Sequence, residues 1–151
     1  MLDRKWDLRF IELANHVSAW SKDPSTKVGA VIVTEDRRVL SMGYNGFPRG
    51  CPDREEDYAN REVKLKLVSH AERNALDNVD VSVRGCTLYT THFPCNECAK
   101  SIVQKGITRV VSPFIDNDDY HEKFHTSETK HMFRYAGVVI NFYTYPFTDI
   151  A

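Results

Sequence analysis

His70-Ala71-Glu72 and, further along, Pro94-Cys95-Asn96-Glu97-Cys98 constrain this chain more than any other feature. One imidazole and two thiolates are three zinc ligands, and they serve one ion only if the segments that carry them converge. Both motifs fall where helices are expected to begin. Ser69 reads as the N-cap of a helix bearing His70 and Glu72, and Cys95 and Cys98 occupy the first turn of a helix over 96–105. Two helix N-termini therefore meet at the metal, where their dipoles favour thiolate over thiol. Taken singly the motifs are weak. A Cys-x-x-Cys also fits a redox pair or half of a structural zinc site, and a lone His-x-Glu fits a surface histidine beside a solvated helix charge. Their combination, with proline directly before the first cysteine, is what carries weight.

Three protein ligands leave the fourth zinc position open, and water held there has its pKa lowered to about 7. Cys51 and Cys86 have no Cys-x-x-Cys partner, so nothing points to a closed structural centre. Glu72 is placed to take a proton from that water and deliver it to a ring nitrogen and a departing ammonia. General acid/base work of this kind is worth roughly 100 to 10,000-fold in rate. The residue set is that of zinc-assisted hydrolytic deamination of a nucleobase.

The remainder of the chain agrees with one compact domain spanning 1–151. With 151 residues and 42% hydrophobic content it can bury a sizeable core. Twenty Lys plus Arg against 21 Asp plus Glu give a net charge of -1, which argues against a nucleic-acid partner while leaving room for a local basic pocket. Four cysteines, two assigned to metal, are not a disulfide framework. The charged start and the lack of a long apolar run lead us to expect a cytoplasmic protein with no membrane partner.

Hydrophobic spacing predicts an amphipathic helix over 4–20 with Asp3 as N-cap and Pro24 beyond its end. Strands over 28–33 and 38–44 form a hairpin. The polar stretch 45–69 opens on a cluster of turn residues and carries a short helix over 58–68. Thereafter a strand over 87–90, the cysteine helix ended by Gly106, a strand over 109–112, a helix over 127–135 ended by Gly137 and a strand over 138–143 alternate. The apolar stretch 138–147 suits either an edge strand or a subunit contact. Strands joined by helices imply parallel pairing, so the expected fold is α/β, with a five-stranded mixed sheet covered by helices on both faces.

This order, together with Val28-Gly29-Ala30, Gly43-Tyr44-Asn45-Gly46-Phe47-Pro48 and Phe93-Pro94-Cys95-Asn96-Glu97-Cys98-Ala99-Lys100, resembles the cytidine deaminase superfamily and within it the deoxycytidylate (dCMP) deaminases. The resemblance covers nearly the whole chain and implies the cytidine deaminase-like three-layer α/β/α fold. It also implies conversion of dCMP to dUMP and ammonia, supplying thymidylate synthesis. Carried over, it makes His70, Cys95 and Cys98 the ligands of one zinc per chain, and Glu72 the proton shuttle. It gives Asn45 the sugar 3'-hydroxyl, the amides near Ala71 the pyrimidine carbonyl, and Tyr120 the role of an aromatic closing over substrate. Some viral relatives hold a second zinc; Cys51 matches one of its cysteines, but Ser21 and Lys22 stand where another is required. The family further implies a homo-hexamer activated by dCTP with Mg2+ and inhibited by dTTP.

A monophosphate needs a cationic grip. Lys27, Arg49 and His92 are the candidates, each alone more often a solvated charge; Lys27 and Arg49 are favoured because their flanking motifs match the family, with Arg54, Arg61 and Arg73 behind them. Asn45, preceding glycine, also has a reading as a turn former. Deamination of dCTP or of 5-substituted dCMP, nucleic-acid editing, and a catalytically silent nucleotide-binding regulator are the competing readings.

Overall fold

The computed structural model describes residues 3–144 and 148–150. Its elements run α1 (Arg4–Ser18), β1 (Gly29–Val33), β2 (Val39–Tyr44), α2 (Glu55–Ala59), α3 (Arg61–Leu67), α4 (Ala71–Asp77), β3 (Thr87–Thr90), α5 (Asn96–Gln104), β4 (Arg109–Pro113), α6 (Asp118–Phe124), α7 (Thr126–Ala136), β5 (Val139–Thr144) and β6 (Thr148–Ile150). The five expected strands form one mixed sheet, and the short β6 extends it to the order β2-β1-β3-β4-β5-β6. β1 is antiparallel to both β2 and β3, whereas β3, β4 and β5 run parallel.

Period-2 alternation gives each strand two faces, and both are covered. Ala30, Ile32, Leu88 and Val110 point into a core with Ala75 and Leu76 of α4, Ile102 of α5 and Phe133 of α7. Val31, Val33, Tyr89 and Val111 point the other way, onto Phe10, Ile11, Ala14 and Val17 of α1. Burying each such aliphatic side chain is worth about 1.5–3 kcal/mol, so both helix layers are held mainly by this packing. On the α1 side, Asp7 takes two hydrogen bonds from the Arg109 guanidinium and one from the Tyr89 hydroxyl, tying α1 to β3 and β4.

The approach of helix to sheet is closest where α4 crosses β2. A Cβ on Gly43 would lie 2.4 Å from the Ala71 carbonyl oxygen and 2.4 Å from the Ala75 nitrogen, so glycine is required there. Around it, the Ser41 hydroxyl donates to the Ala75 carbonyl at 2.6 Å and the Asn74 amide donates to the Tyr44 carbonyl at 2.8 Å. The helix that begins after His70 is thus seated by strand contacts along its length.

Several expectations need adjustment. The stretch 45–69 holds two helices, α2 and α3, because Asn60 caps the second by accepting from the Val63 amide at 3.3 Å. A further helix, α6, follows β4, with the Asn117 side chain accepting from the Tyr120 amide. His70, and not Ser69, is the N-cap of α4, and Cys95 is the N-cap of α5 with Cys98 inside its first turn. β5 lies between β4 and β6 and is no edge strand, and residues 145–147 of the apolar stretch fall outside the described residues. Among the described residues no helix is long and apolar enough to cross a membrane.

Candidate active site

The metal-ligating side chains come together as the motif spacing requires. His70 at the start of α4 and Cys95 and Cys98 at the start of α5 place their donor atoms within 4.8 Å of one another, the one His/Cys/Asp/Glu cluster of this kind among the described residues. His70 Nδ1 lies 3.4 Å from each sulfur. A tetrahedral zinc with Zn–S of about 2.3 Å and Zn–N of about 2.0 Å sets its nitrogen and sulfur ligands about 3.5 Å apart, so the cluster fits the ion in both donor chemistry and spacing. The Cys98 amide donates to Cys95 Sγ at 3.4 Å, which orients the first sulfur toward the centre. Cys95 is the more acidic thiol, drawn down to about 4 by the hydrogen bond from the Cys98 thiol, against burial and with help from His70. His70 in turn is raised, chiefly by its contact with Cys95. Zinc held by His70, Cys95 and Cys98 would take both sulfurs as thiolates.

Glu72 lies beside this cluster and is only 3% exposed. Its Oε1 accepts from the Thr90 hydroxyl at 2.8 Å, leaving the second oxygen for other work. Thr90 ends β3, and the turn that follows it leads the chain to the cysteines. Hydroxyls from other elements fix the carbonyls of that passage. Tyr143 donates to the Thr90 carbonyl at 3.0 Å, Tyr120 to Phe93 at 2.6 Å and Thr129 to Pro94 at 3.0 Å. Three elements, β5, α6 and α7, thereby hold the approach to the metal ligands.

A cavity of about 180 Å³ opens onto the cluster. His70, Ala71, Glu72 and Cys95 line its floor, with Asn45, His92, Phe93 and Tyr120 around them. Ala71 is the first residue of α4, where helix amides have no intrahelical acceptor. Asn45 is largely occupied. Its Nδ2 donates to the Thr26 carbonyl at 2.8 Å and its Oδ1 accepts from the Val28 amide at 2.8 Å, so one lone pair of Oδ1 remains for a ligand. Tyr120 lines the wall with its hydroxyl already committed to Phe93. Burial, and then the neighbouring Glu72 charge, push its phenol well above the ordinary range, which keeps it a neutral donor. Burial lowers the His92 pKa, so that ring is a neutral imidazole, and its Nδ1 is buried with no hydrogen-bond partner.

The cations at this cavity differ from the first candidates. Lys27 is exposed and does not line it. Arg49 donates to Asn78 Oδ1 at 3.1 Å and lines two neighbouring grooves, of about 700 and 290 Å³. Arg73 lines the larger of those grooves, and Arg54 is paired with Asp57. The cavity with Glu72 is instead faced by Arg61 and Lys64 from α3 and Lys123 from α6. Of these only Arg61 was a candidate. The larger groove also touches His70 and Cys98 but lacks Glu72, which lines the smaller cavity with His70 and Cys95. The sequence does contain the signal for α3, since Arg61, Lys64, Leu65 and Val68 fall at i, i+3, i+4 and i+7, one face of a helix. It holds none that brings α6 opposite.

Comparisons with known proteins agree with this geometry. The family model of the cytidine and deoxycytidylate deaminase zinc-binding region matches residues 4–113. The "uncharacterized deaminase in luxG 3' region" of Aliivibrio fischeri is 43% identical, over 90% of this chain and 92% of its own. Mouse deoxycytidylate deaminase is 38% identical, over 97% and 84% of the two chains. The crystal structure of dCMP deaminase from the cyanophage S-TIM5 superposes with a TM-score of 0.71 at 26% identity, covering 93% of this chain and 99% of that one. A motif pair that needs two converging helix starts, a fold that supplies them, and relatives matched over most of their length lead to one assignment: the chain belongs to the cytidine and deoxycytidylate deaminase family.

Proposed function

We propose that the chain hydrolyses the exocyclic C–N bond of dCMP, releasing dUMP and ammonia, as a single catalytic domain with one zinc ion. The observation that carries this reading is the meeting, in one cavity, of the buried Glu72, His70 and Cys95 of the clustered donor set, and the cations Arg61, Lys64 and Lys123. Relatives named deoxycytidylate deaminase support the substrate, as does the cyanophage enzyme, 25% identical, which was crystallised with dCMP and dUMP.

Zinc bound by the three ligands supplies the Lewis acidity that makes water a nucleophile near neutral pH. Glu72 does the proton work. Thr90 holds Oε1, so Oε2 takes one proton of the attacking water to the pyrimidine N3, and then carries the second from the added hydroxyl to the leaving amine. The Ala71 amide at the start of α4 donates to the pyrimidine carbonyl, and the free lone pair of Asn45 Oδ1 accepts the sugar 3'-hydroxyl. Arg61, Lys64 and Lys123 face the 5'-phosphate, with His92 and Tyr120 walling the ring.

The reading includes a cytoplasmic homo-hexamer that responds to dCTP with Mg2+ and to dTTP. Its support is the family resemblance and the separate cavity of about 290 Å³ formed by the loop from Gly43 to Asp53. Ammonia release by the zinc-loaded chain tests all of this, from dCMP, dCTP, 5-methyl-dCMP, deoxycytidine and single-stranded DNA, each with and without dCTP-Mg2+ or dTTP. Preference for dCMP with a response to triphosphates is the expected result. Turnover of another member of the panel reassigns the substrate, and binding without turnover makes the chain a nucleotide-binding regulator.

A further inference from the structure

Asp23 is 2% exposed, yet it is a hub for the walls of the reaction cavity. Its Oδ1 accepts from the Ser25 amide at 2.8 Å, the Thr26 amide at 3.3 Å and Lys64 Nζ at 2.8 Å, and Oδ2 lies 3.4 Å from Asn45 Nδ2. A buried carboxylate is tolerated only when so supplied. Burial works against its charge, but Lys64 and the two amides outweigh burial and hold the carboxyl below its ordinary range. The donors come from three walls: Ser25 and Thr26 in the loop before β1, Asn45 just after β2, and Lys64 on α3.

Two consequences follow for the cavity. Helix α3 has no buried residue, so no core side chain fixes the face that carries Arg61 and Lys64. The Lys64 ammonium, with its side chain 14% exposed, reaches inward to the 3% exposed side chain of Asp23 and ties that face down. Asn45 is fixed as well. Its Nδ2 points at two acceptors, Thr26 O and Asp23 Oδ2, and a flipped amide would turn its oxygen onto both. Ser21 completes the arrangement, donating to the Asn45 carbonyl at 2.8 Å and accepting from the Asp23 amide at 3.2 Å.

We propose that Asp23 is a positioning residue for the nucleotide, holding Lys64 at the phosphate end and Asn45 at the sugar end of the cavity. The inference rests on the dCMP reading above. It predicts a defect in binding the phosphorylated substrate that is separate from chemistry at the ring.

The experiment uses the zinc-loaded full chain with D23N, K64M, K64R and the D23N/K64M double variant. Kinetics are measured on dCMP and deoxycytidine, with calorimetric titration of dCMP and thermal melts alongside. D23N and K64M are each expected to raise KM for dCMP about tenfold, with kcat changed less than about threefold. The preference for dCMP over deoxycytidine should fall by the same factor. The double variant should be no worse than D23N, which already releases Lys64, and K64R should keep a KM close to that of the wild type. Unchanged KM overturns the proposal. So does an equal loss on both substrates that follows a lowered Tm, which is a structural role, and so does an additive double variant. If D23N does not fold, K64M, altered on a helix with no buried residue, decides the matter. Absence of dCMP turnover by the wild type defeats the functional reading instead, and the calorimetric Kd of the variants then judges Asp23 separately.

Discussion

The two ends of the reaction cavity are built by different means. At the metal end, His70, Glu72, Cys95 and Cys98 come from two helix starts seated on neighbouring strands, and each has its orientation set by short-range contacts. At the opposite end, Arg61, Lys64 and Lys123 project from short helices that have no buried residue, and their placement rests on polar contacts such as Lys64 to Asp23. The metal end is therefore rigid through packing and intolerant of small changes in volume. The cationic end is held through charge, and single substitutions there shift affinity more than rate.

The largest effect that this contrast predicts is at Glu72. Glu72→Gln keeps the shape and the bond from Thr90 but cannot shuttle a proton, so kcat should fall by roughly 100 to 10,000-fold. Zinc content by elemental analysis and dCMP binding by calorimetry should stay at wild-type values, and retained turnover would remove Glu72 from the mechanism. Gly43→Ala tests the packing claim. Its new Cβ meets α4 backbone at 2.4 Å, so the helix must move and the fold should lose about 3 kcal/mol or more, read from denaturant unfolding. Thr90→Val is milder, because valine fills the same volume and removes the donor to Glu72 Oε1 together with the hydroxyl's contacts to the His92 backbone. A fall in kcat of about tenfold with little change in KM is expected from steady-state kinetics.

The same contrast explains what was legible in the sequence. The metal motifs are local: His-x-Glu and Cys-x-x-Cys fix their own geometry within one helical turn, and glycine at 43 and 29 marks where helices press on the sheet. The central strands were readable because β1 is a continuous apolar run buried throughout, while β3 and β4 carry the buried pairs Leu88-Tyr89 and Val110-Val111. Helix α6 goes unread, and α2 and α3 read as one helix over 58–68, because the Asn60 and Asn117 caps that start α3 and α6 leave no apolar periodicity. Lys27 and Arg49 looked favourable because they adjoin recognisable motifs, yet adjacency in sequence turned their side chains to solvent and to a neighbouring groove.

The smallest effects lie among the cations, and there the comparison is sharpest. Lys123→Ala removes an exposed charge that faces the cavity from α6, so KM for dCMP should rise about fivefold with kcat nearly constant. Lys27→Ala and Arg49→Ala remove charges that do not line it, and each should leave KM for dCMP within about twofold of wild type. The three variants are alike in losing one unit of positive charge. A long-range attraction of the substrate by net charge would affect all of them comparably and would fade with salt, since screening acts within about 10 Å at 0.1 M. Contact with the phosphate would affect only Lys123 and would persist at higher ionic strength. Measuring KM for the three at two salt concentrations therefore separates a built anion site at α3 and α6 from a diffuse basic surface. A dominant effect of Lys27 or Arg49 would move the phosphate out of this cavity altogether.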